Sequence, residues 1–225
     1  MSASPSAFIF DCDGTLVDSM GMWVGLWPEI AAEYGVRATA ADFDKYEHLS
    51  MEEECDVVHR EMGIAGSAAE LETRLREQLE VKYATAVPLR PGVLPFLKEV
   101  RAAGIPMAIA TSTSRDLVCT CLKACGIDGF FKDVVTTDMV GASKEHPDVY
   151  DRALEAAAPG AVRADAWVFE DAMFGLITAE AAGYRRVGVY DPAGHADREV
   201  VRAHASLFID SFEELTLDRV LSYEG

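Results

Sequence analysis

The sequence lacks a long hydrophobic run and contains little cysteine. No stretch approaches the ~20 consecutive apolar residues that a membrane-spanning helix requires, although 50% of the 225 residues are hydrophobic. The 5 cysteines are an odd number and lack the spacing of a secreted disulfide framework. The opening segment MSASPSAF has no basic region followed by an apolar core, so it does not read as an export signal. We therefore expect a cytoplasmic protein with reduced thiols.

Positive charge is also scarce. The chain has 20 Lys and Arg residues against 38 Asp and Glu residues, which gives a formal net charge of −18. A field of that sign disfavours nucleic-acid phosphates and anionic membranes, so we predict neither as a partner. It also repels a small phosphorylated substrate unless the binding site itself concentrates positive charge. The sequence carries no signal for an oligomeric state.

Short apolar segments alternate with helical stretches along most of the chain. Six segments are predicted strands: Phe8–Phe10, Met107–Ala110, Val134–Thr136, Trp167–Phe169, Arg186–Val189 and Leu207–Ile209. Because they are continuously apolar, they are typical of a parallel sheet that is buried on both faces. Gly104, Gly126 and Gly183 follow helical stretches at positions where a helix ends in a left-handed residue. The pattern predicts an α/β fold with a doubly wound parallel sheet.

One region, which begins just after the first predicted strand, breaks this alternation. It shows helical periodicity and no convincing strand, and Asp18 and Ser19 can cap its first helix. A four-residue apolar repeat within it predicts an amphipathic helix and consists of Leu71, Leu75, Leu79 and Tyr83. We therefore predict a helical domain at residues 19–87, inserted into an α/β core formed by residues 1–18 and 88–225.

Polar side chains follow several of the predicted strands. They are Asp11 and Asp13 after the first strand, Thr111 and Ser112 after the second, Lys144 beyond the third, and Glu170 and Asp171 after the fourth. In an open parallel sheet, ligands bind beyond the carboxyl ends of the strands. We therefore expect these side chains to meet at one edge of the sheet.

The four carboxylates of this set need positive charge close by. Two carboxylates ~4 Å apart repel each other by roughly 4 kcal/mol in a protein-like dielectric, so the group must take up protons or bind a cation. Oxygen ligands without a histidine pair or a thiolate favour Mg²⁺ over zinc or copper. Mg²⁺ shares its coordination shell readily with phosphate oxygens, and Lys144 adds a second positive charge. The residues therefore predict a site that captures a phosphoryl group.

Four motifs in this order resemble those of the haloacid dehalogenase superfamily. They are DCDGT after the first strand, ATS at a later strand end, a downstream lysine, and FEDAMFG. The helical region after the first motif resembles the α-helical cap of one subgroup, which includes sugar-phosphate phosphatases and β-phosphoglucomutase. The resemblance covers nearly the whole chain.

This resemblance implies catalytic and metal-binding roles. Asp11 would be the nucleophile that forms an aspartyl-phosphate. Asp13 would protonate the leaving oxygen and then deprotonate the attacking water. The metal ligands would be Asp11, the backbone carbonyl of Asp13, and Asp171, with Glu170 contacting Mg²⁺ directly or through another ligand.

The resemblance also implies phosphate-binding roles. Thr111 and Lys144 would position and neutralise the transferring group, and Ser112 takes the place of Thr111 if the motif is shifted by one residue. The family usually has proline directly after this lysine, whereas Glu145 and His146 intervene here. A solvated loop lysine is the alternative interpretation of Lys144.

The acceptor of the phosphoryl group depends on the cap. Mutases of this family carry a cap histidine and a cap arginine, but the corresponding segments DSMGMW and EHLSMEEE have Trp23 and Met51 instead. We therefore predict a Mg²⁺-dependent phosphatase that acts on a small, sugar-phosphate-like metabolite. The alternatives are a β-phosphoglucomutase-type phosphosugar mutase and a catalytically idle phosphate-binding relative.

Some reactive or aromatic residues are predicted to pack rather than to bind. Residues two apart lie on different faces of a helix, so the cysteines of the C-x-C-x₃-C pattern cannot easily share one metal. The residues predicted to pack are Cys12, Cys119, Cys121 and Cys125. Trp23 and Trp27, four residues apart, are predicted to form the core of the cap in preference to a substrate-facing surface.

Overall fold

A computed structural model describes residues 5–46, 49–194 and 196–224. The first four residues of the opening segment, and Glu47 and His48 of EHLSMEEE, lie outside these ranges. The described chain contains six strands: β1 Ala7–Phe10, β2 Met107–Thr111, β3 Val134–Thr136, β4 Ala166–Glu170, β5 Arg185–Val189 and β6 Leu207–Ile209. Each predicted strand is present, and four are longer than predicted by one or two residues.

The six strands form one parallel sheet in the order β3-β2-β1-β4-β5-β6. This is the strand order of a doubly wound Rossmann-type sheet, which confirms the predicted fold class. Strand β1 lies at the centre, where Phe8 pairs with Met107 of β2 and with Trp167 of β4. All four residues of β1 are buried.

Helices cover both faces of the sheet. The α-helices of the described residues are α1 Met20–Glu33, α2 Met51–Met62, α3 Ala68–Thr85, α4 Val93–Ala102, α5 Arg115–Ala124, α6 Thr137–Val140, α7 Asp148–Ala157, α8 Met173–Ala181, α9 Arg198–His204 and α10 Leu217–Leu221. No helix within the described ranges combines the length and the apolar character needed to cross a bilayer.

Alternate side chains of β1 point to opposite faces of the sheet, and each face has its own core. On one face, Phe8 and Phe10 pack with Phe96 and Phe169, and the Phe10 and Phe169 rings stack with centroids 4.3 Å apart. On the other face, Ile9 packs in a cluster that includes residues of α7 and α8. Burial on both faces explains why the strands read as continuous apolar runs.

Residues 19–87, called the cap segment from here on, contain helices and no strand among the residues described. The four-residue repeat of α3 is fully buried, as predicted: Leu71, Leu75, Leu79 and Tyr83. These residues belong to the same apolar cluster as Phe8, so the division into a core and a cap domain stays a prediction. Ser19 precedes α1, but its hydroxyl does not cap the helix.

Glycines end three helices in the conformation that the sequence predicts. Gly104, Gly126 and Gly183 have φ angles of +74°, +69° and +87°. Glycine adopts this left-handed region without the steric cost that a Cβ atom imposes. Gly104 and Gly183 come directly before the segments that lead into β2 and β5, so the chain turns there from a helix into the next strand.

Candidate active site

The candidate site lies where the strand order reverses. Strands β1 and β4 are neighbours in the sheet, and the chain continues from β1 to one side and from β4 to the other. A crevice forms at such a switch point beyond the carboxyl ends of the strands. Asp11 directly follows β1, while Glu170 ends β4 and Asp171 follows it.

Three carboxylates form a compact buried cluster at this point. One oxygen from each of Asp11, Glu170 and Asp171 lies within 4.8 Å of the others. Lys144 Nζ donates to Asp11 Oδ1 at 2.6 Å and to Glu170 Oε1 at 2.5 Å. Lys144 is only 3% exposed, which excludes the alternative of a solvated loop lysine.

The cluster has more negative charge than its lysine can neutralise. Burial raises the pKa of Asp11 to about 7, although the Lys144 ammonium opposes this shift. Burial also raises the pKa of Asp171 well above its usual range. With three carboxylates against one ammonium, the cluster holds an excess of two negative charges when it is fully ionised. That excess and the all-oxygen donor set fit a divalent cation.

Hydroxyl groups orient the carboxylates of the cluster. Thr15 Oγ1 donates to Asp171 Oδ1 at 2.8 Å. Tyr150 OH donates at 2.8 Å to Oε1 of Glu170, the same oxygen that accepts from Lys144. Burial raises the pKa of the Tyr150 phenol well above its usual value, so it remains a donor at neutral pH.

Asp13 lies outside this cluster and accepts three hydroxyl hydrogen bonds. Ser19 Oγ donates to its Oδ1 at 2.6 Å, and Tyr83 OH donates to the same oxygen at 2.5 Å. Thr113 Oγ1 donates to Oδ2 at 2.8 Å. This contact explains why the Ser19 hydroxyl does not cap α1. The Asp13 side chain therefore faces the cap segment, to which Ser19 and Tyr83 belong.

The loop between the two aspartates and α1 has almost no free space. Gly14 has a φ angle of +75°, and a Cβ atom there would lie 2.2 Å from Asp171 Oδ2. Arg90 Nη1 donates to the Gly14 carbonyl at 2.6 Å, and the same nitrogen lies 2.8 Å from Asp191 Oδ2. Arg90 thus joins the loop after β1 to the loop after β5, and the close approach requires glycine at position 14.

An open cavity of about 180 Å³ lies above the acidic cluster. The residues that line it on the core side include Asp11, Asp13, Thr111, Ser112, Lys144 and Asp171, together with Thr113, Ala172 and Phe174. Glu170 is fully buried beneath it. The Thr111 hydroxyl accepts from the Thr113 backbone N–H at 3.1 Å. All seven residues predicted at the strand ends therefore lie at one edge, six of them on the cavity wall.

The residues predicted to pack do so, with one difference. All five cysteines are free thiols, and Cys12 and Cys121 are fully buried. Trp27 is buried and stacks on Phe43 with ring centroids 5.4 Å apart. However, both Trp23 and Trp27 also line the cavity. The prediction that these tryptophans form the cap core rather than a substrate-facing surface was therefore incomplete. Helix α1 lies at the edge of the cavity, so its side chains pack in the cap and also line the cavity.

Several residues that complete the site were missed by the motif analysis. They are Thr15, Ser19, Tyr83, Arg90, Thr113 and Tyr150. A signal existed for one of them, since a tyrosine that ends an otherwise leucine-only repeat brings a hydroxyl into an apolar core and needs a partner there. Ser19 lies close to Asp13 in sequence but was interpreted as a helix cap, and the other residues follow no spacing rule because their partners are distant along the chain.

Comparison with known proteins gives the class to which this fold and site belong. The sequence profile described as haloacid dehalogenase-like hydrolase matches residues 8–189. Hexitol phosphatase A of Escherichia coli (strain K12) is 30% identical over 224 residues, which cover 94% of each chain. A crystal structure of a CbbY variant from Rhodobacter sphaeroides in complex with xylulose-(1,5)bisphosphate is 26% identical, with a TM-score of 0.82 over 95% of this chain and 98% of that one.

A more distant likeness extends to a mutase. The structure of β-phosphoglucomutase from Clostridium difficile has a TM-score of 0.77 at 20% identity, over 96% of this chain and 95% of that one, which shows a shared fold. The chain belongs to the haloacid dehalogenase-like hydrolase family. Within that family it is an enzyme of the phosphoric monoester hydrolase class.

Proposed function

We propose that this protein is a Mg²⁺-dependent phosphatase that hydrolyses a small phosphorylated metabolite through an aspartyl-phosphate on Asp11. Phosphorylated carbohydrates are the substrate class suggested by relatives such as hexitol phosphatase A. Five free thiols are compatible with action in a reducing cytoplasm. The observation that carries the proposal is Lys144, a buried cation that contacts Asp11 within a carboxylate cluster open to the cavity.

The first chemical step transfers the phosphoryl group to the protein. A carboxylate oxygen of Asp11 attacks phosphorus, and the bond from phosphorus to the ester oxygen breaks. Asp13 donates a proton to the departing oxygen, so that an alcohol leaves rather than an alkoxide. Lys144 holds Asp11 in place and offsets negative charge on the transferring group.

The second step returns the protein to its starting state. Asp13, now a carboxylate, takes a proton from a water molecule as the water oxygen attacks phosphorus. The bond from phosphorus to the Asp11 oxygen breaks, which releases inorganic phosphate. Thr111 supports this exchange by offering its hydroxyl to phosphoryl oxygens at the end of β2.

The proposed Mg²⁺ is bound by the carboxylates that carry the excess negative charge. Its ligands are Asp11, Asp171 and the backbone carbonyl of Asp13, with Glu170 contacting it directly or through another ligand. Mg²⁺ bound there supplies positive charge that polarises the phosphoryl group and orients it toward Asp11.

The test is release of inorganic phosphate from a panel of phosphorylated metabolites and from an aryl phosphate, with Mg²⁺ and with a chelator. We expect turnover that requires Mg²⁺. Turnover that persists at full rate in the chelator would contradict the metal dependence. No release from any ester would favour the idle phosphate-binding relative.

Metal binding can also be measured without catalysis. We expect Mg²⁺ to raise the melting temperature of metal-stripped protein, since a ligand that binds only the folded state stabilises it. Asp171→Asn should abolish this shift. Asp191→Asn is the matched control, because Asp191 is a buried carboxylate outside the cluster that is paired with Arg90. Equal shifts in both variants would contradict the proposed ligands.

A phosphosugar mutase is the second candidate, since β-phosphoglucomutase shares this fold. Trp23 and Met51 line the cavity where the mutase-type histidine and arginine are expected. Neither side chain can anchor the second phosphate of a bisphosphate, so water is the favoured acceptor. Formation of glucose 6-phosphate from glucose 1-phosphate in the presence of a bisphosphate activator would overturn this preference.

A further inference from the structure

Among the residues that the structure describes, the cap wall of the cavity is almost entirely hydrocarbon. Nine of the described residues of the cap segment line the cavity, and eight of them are apolar. The side chains that form most of this wall are Met20, Val24, Trp27, Phe43, Leu49 and Met51. Glu54 is the one polar side chain among the described cap residues of the wall. This composition contrasts with the core wall, which carries the carboxylates, hydroxyls and ammonium already described.

The indole N–H of Trp23 is already engaged in a hydrogen bond. Trp23 Nε1 donates to Tyr83 OH at 3.0 Å, and that hydroxyl donates in turn to Asp13. Trp27 and Phe43 stack at an interplanar angle of 10° and are 4% and 5% exposed. The Trp23 N–H is therefore not free to bind a ligand, and stacking holds the Trp27 and Phe43 rings in place.

A phosphomonoester in this cavity has two unlike surroundings. Its phosphoryl group meets Asp11, Lys144 and Thr111, while the alcohol part points at the cap wall. A hydroxyl group that is buried against apolar side chains loses its hydrogen bonds to water and gains none. A hydrocarbon or aromatic surface in the same place gains from leaving water.

This inference rests on the proposed phosphatase function and departs from the carbohydrate substrates that the relatives suggest. We infer that the substrate's alcohol part presents a hydrocarbon or aromatic face to the cap rather than a fully hydroxylated chain. The cavity has a volume of about 180 Å³, so there is room for a short chain or a single ring against the cap wall, since an apolar cavity of about 150 Å³ holds one benzene molecule.

A matched pair of esters isolates the effect of the hydroxyl groups. Hexyl phosphate and D-glucitol 6-phosphate share an unbranched chain of the same length with a terminal phosphate, and only the second carries hydroxyls along it. We expect kcat/KM with Mg²⁺ to be at least roughly tenfold higher for hexyl phosphate. An equal or higher kcat/KM for D-glucitol 6-phosphate overturns the inference but leaves the phosphatase proposal intact.

A substitution in the wall ties the preference to this cavity. Met51→Gln keeps the side-chain length and places an amide in the wall, so it should lower the ratio of the two kcat/KM values by roughly tenfold. Met139→Gln makes the same change on α6, where the side chain is 48% exposed and outside the cavity, and should leave the ratio unchanged. An identical ratio in both variants contradicts the assignment of the wall.

A binding experiment separates failure of the inference from failure of the proposed function. In Asp11→Asn, which cannot turn over, titration with each ester is followed by the fluorescence of Trp23 and Trp27. Tighter binding of hexyl phosphate supports the apolar pocket even if the wild-type protein releases no phosphate, in which case only the phosphatase proposal falls. Tighter binding of D-glucitol 6-phosphate overturns the inference regardless of turnover.

Discussion

The Tyr83 hydroxyl donates a hydrogen bond to Asp13 Oδ1 at 2.5 Å, across 70 positions of sequence. Tyr83 lies near the end of α3 in the cap segment, whereas Asp13 lies in the loop after β1. Burial, followed by the nearby Asp13 charge, raises the pKa of the Tyr83 phenol well above its usual value. The phenol is therefore a donor throughout the neutral range, and the position of the cap helix is coupled to the orientation of Asp13.

Tyr83→Phe tests this coupling. The change keeps the buried ring and removes one of the three hydroxyls that hold the Asp13 carboxylate. Loss of this hydrogen bond leaves the Asp13 carboxyl group less firmly oriented, so it should lower kcat roughly tenfold with little change in KM, as steady-state kinetics can measure.

Tyr184→Phe is the matched control for this variant. Tyr184 is equally buried, and its hydroxyl donates to Asp151 Oδ1 at 2.7 Å, away from the cavity. We expect kcat of this variant to stay near the wild-type value. If both variants lose kcat to the same degree, the effect of Tyr83 is one of stability rather than of Asp13 orientation.

Asp11→Asn tests the nucleophile. The amide cannot form the aspartyl-phosphate, so turnover should fall by orders of magnitude while circular dichroism stays unchanged. Near-normal turnover would refute the assignment.

Asp13→Asn tests whether Asp13 takes a proton from the attacking water in the second step. An aryl phosphate has a leaving group that needs little protonation, so phosphoryl transfer to Asp11 continues while water attack slows. We expect a burst of one phenolate per protein molecule followed by a slow steady state. A linear time course without a burst would argue against the two-step pathway.

Lys144→Gln tests the buried cation. Its removal takes the ion-pair partner from the buried carboxylates of Asp11 and Glu170, and breaking a buried ion pair in this way costs about 3 kcal/mol or more. Lys82→Gln removes an ion pair with Glu29, a residue whose side chain is 59% exposed, and should cost less than about 1 kcal/mol. Urea unfolding in a chelator measures both, and equal losses would show that Lys144 does not neutralise the cluster.

Thr111→Val and Ser112→Ala separate the two hydroxyls at the end of β2. Thr111 is 1% exposed, and its oxygen is fixed by the Thr113 N–H, whereas Ser112 is half-buried. We expect inhibition by inorganic phosphate to weaken roughly tenfold in Thr111→Val and much less in Ser112→Ala. The reverse order would move the phosphate contact to Ser112.

Much of this architecture could be predicted because the physical signals are local. The continuous apolar runs correspond to strands buried on both faces, and Asp11, Thr111 and Asp171 follow or end strands whose carboxyl ends must share one edge. Glycines such as Gly104 stand where left-handed backbone ends a helix. These features depend on neighbouring residues in sequence, so the pattern alone carries them.

The supporting contacts could not be predicted in the same way. Lys144 was predicted to lie at the site, but Glu145 and His146 stand where the family usually has proline, so a solvated lysine remained an alternative. Only its contacts with Asp11 and Glu170, both distant in sequence, decide between the two. Tyr83 ends a leucine repeat and so indicates a buried hydroxyl that needs a partner, but the repeat does not show that this partner is Asp13. Trp23 packs in the cap and also lines the cavity. No pattern in the sequence indicates this double position.

The order of strands, helices and acidic motifs was determined by the sequence itself, because hydrophobic periodicity and turn residues act over a few positions. Tertiary structure alone decided which hydroxyls hold Asp13, how deeply Lys144 is buried, and that the cap presents hydrocarbon to the cavity. Those properties arise when segments far apart in the chain exclude water together, and the free energy of such contacts depends on distances that no local pattern encodes.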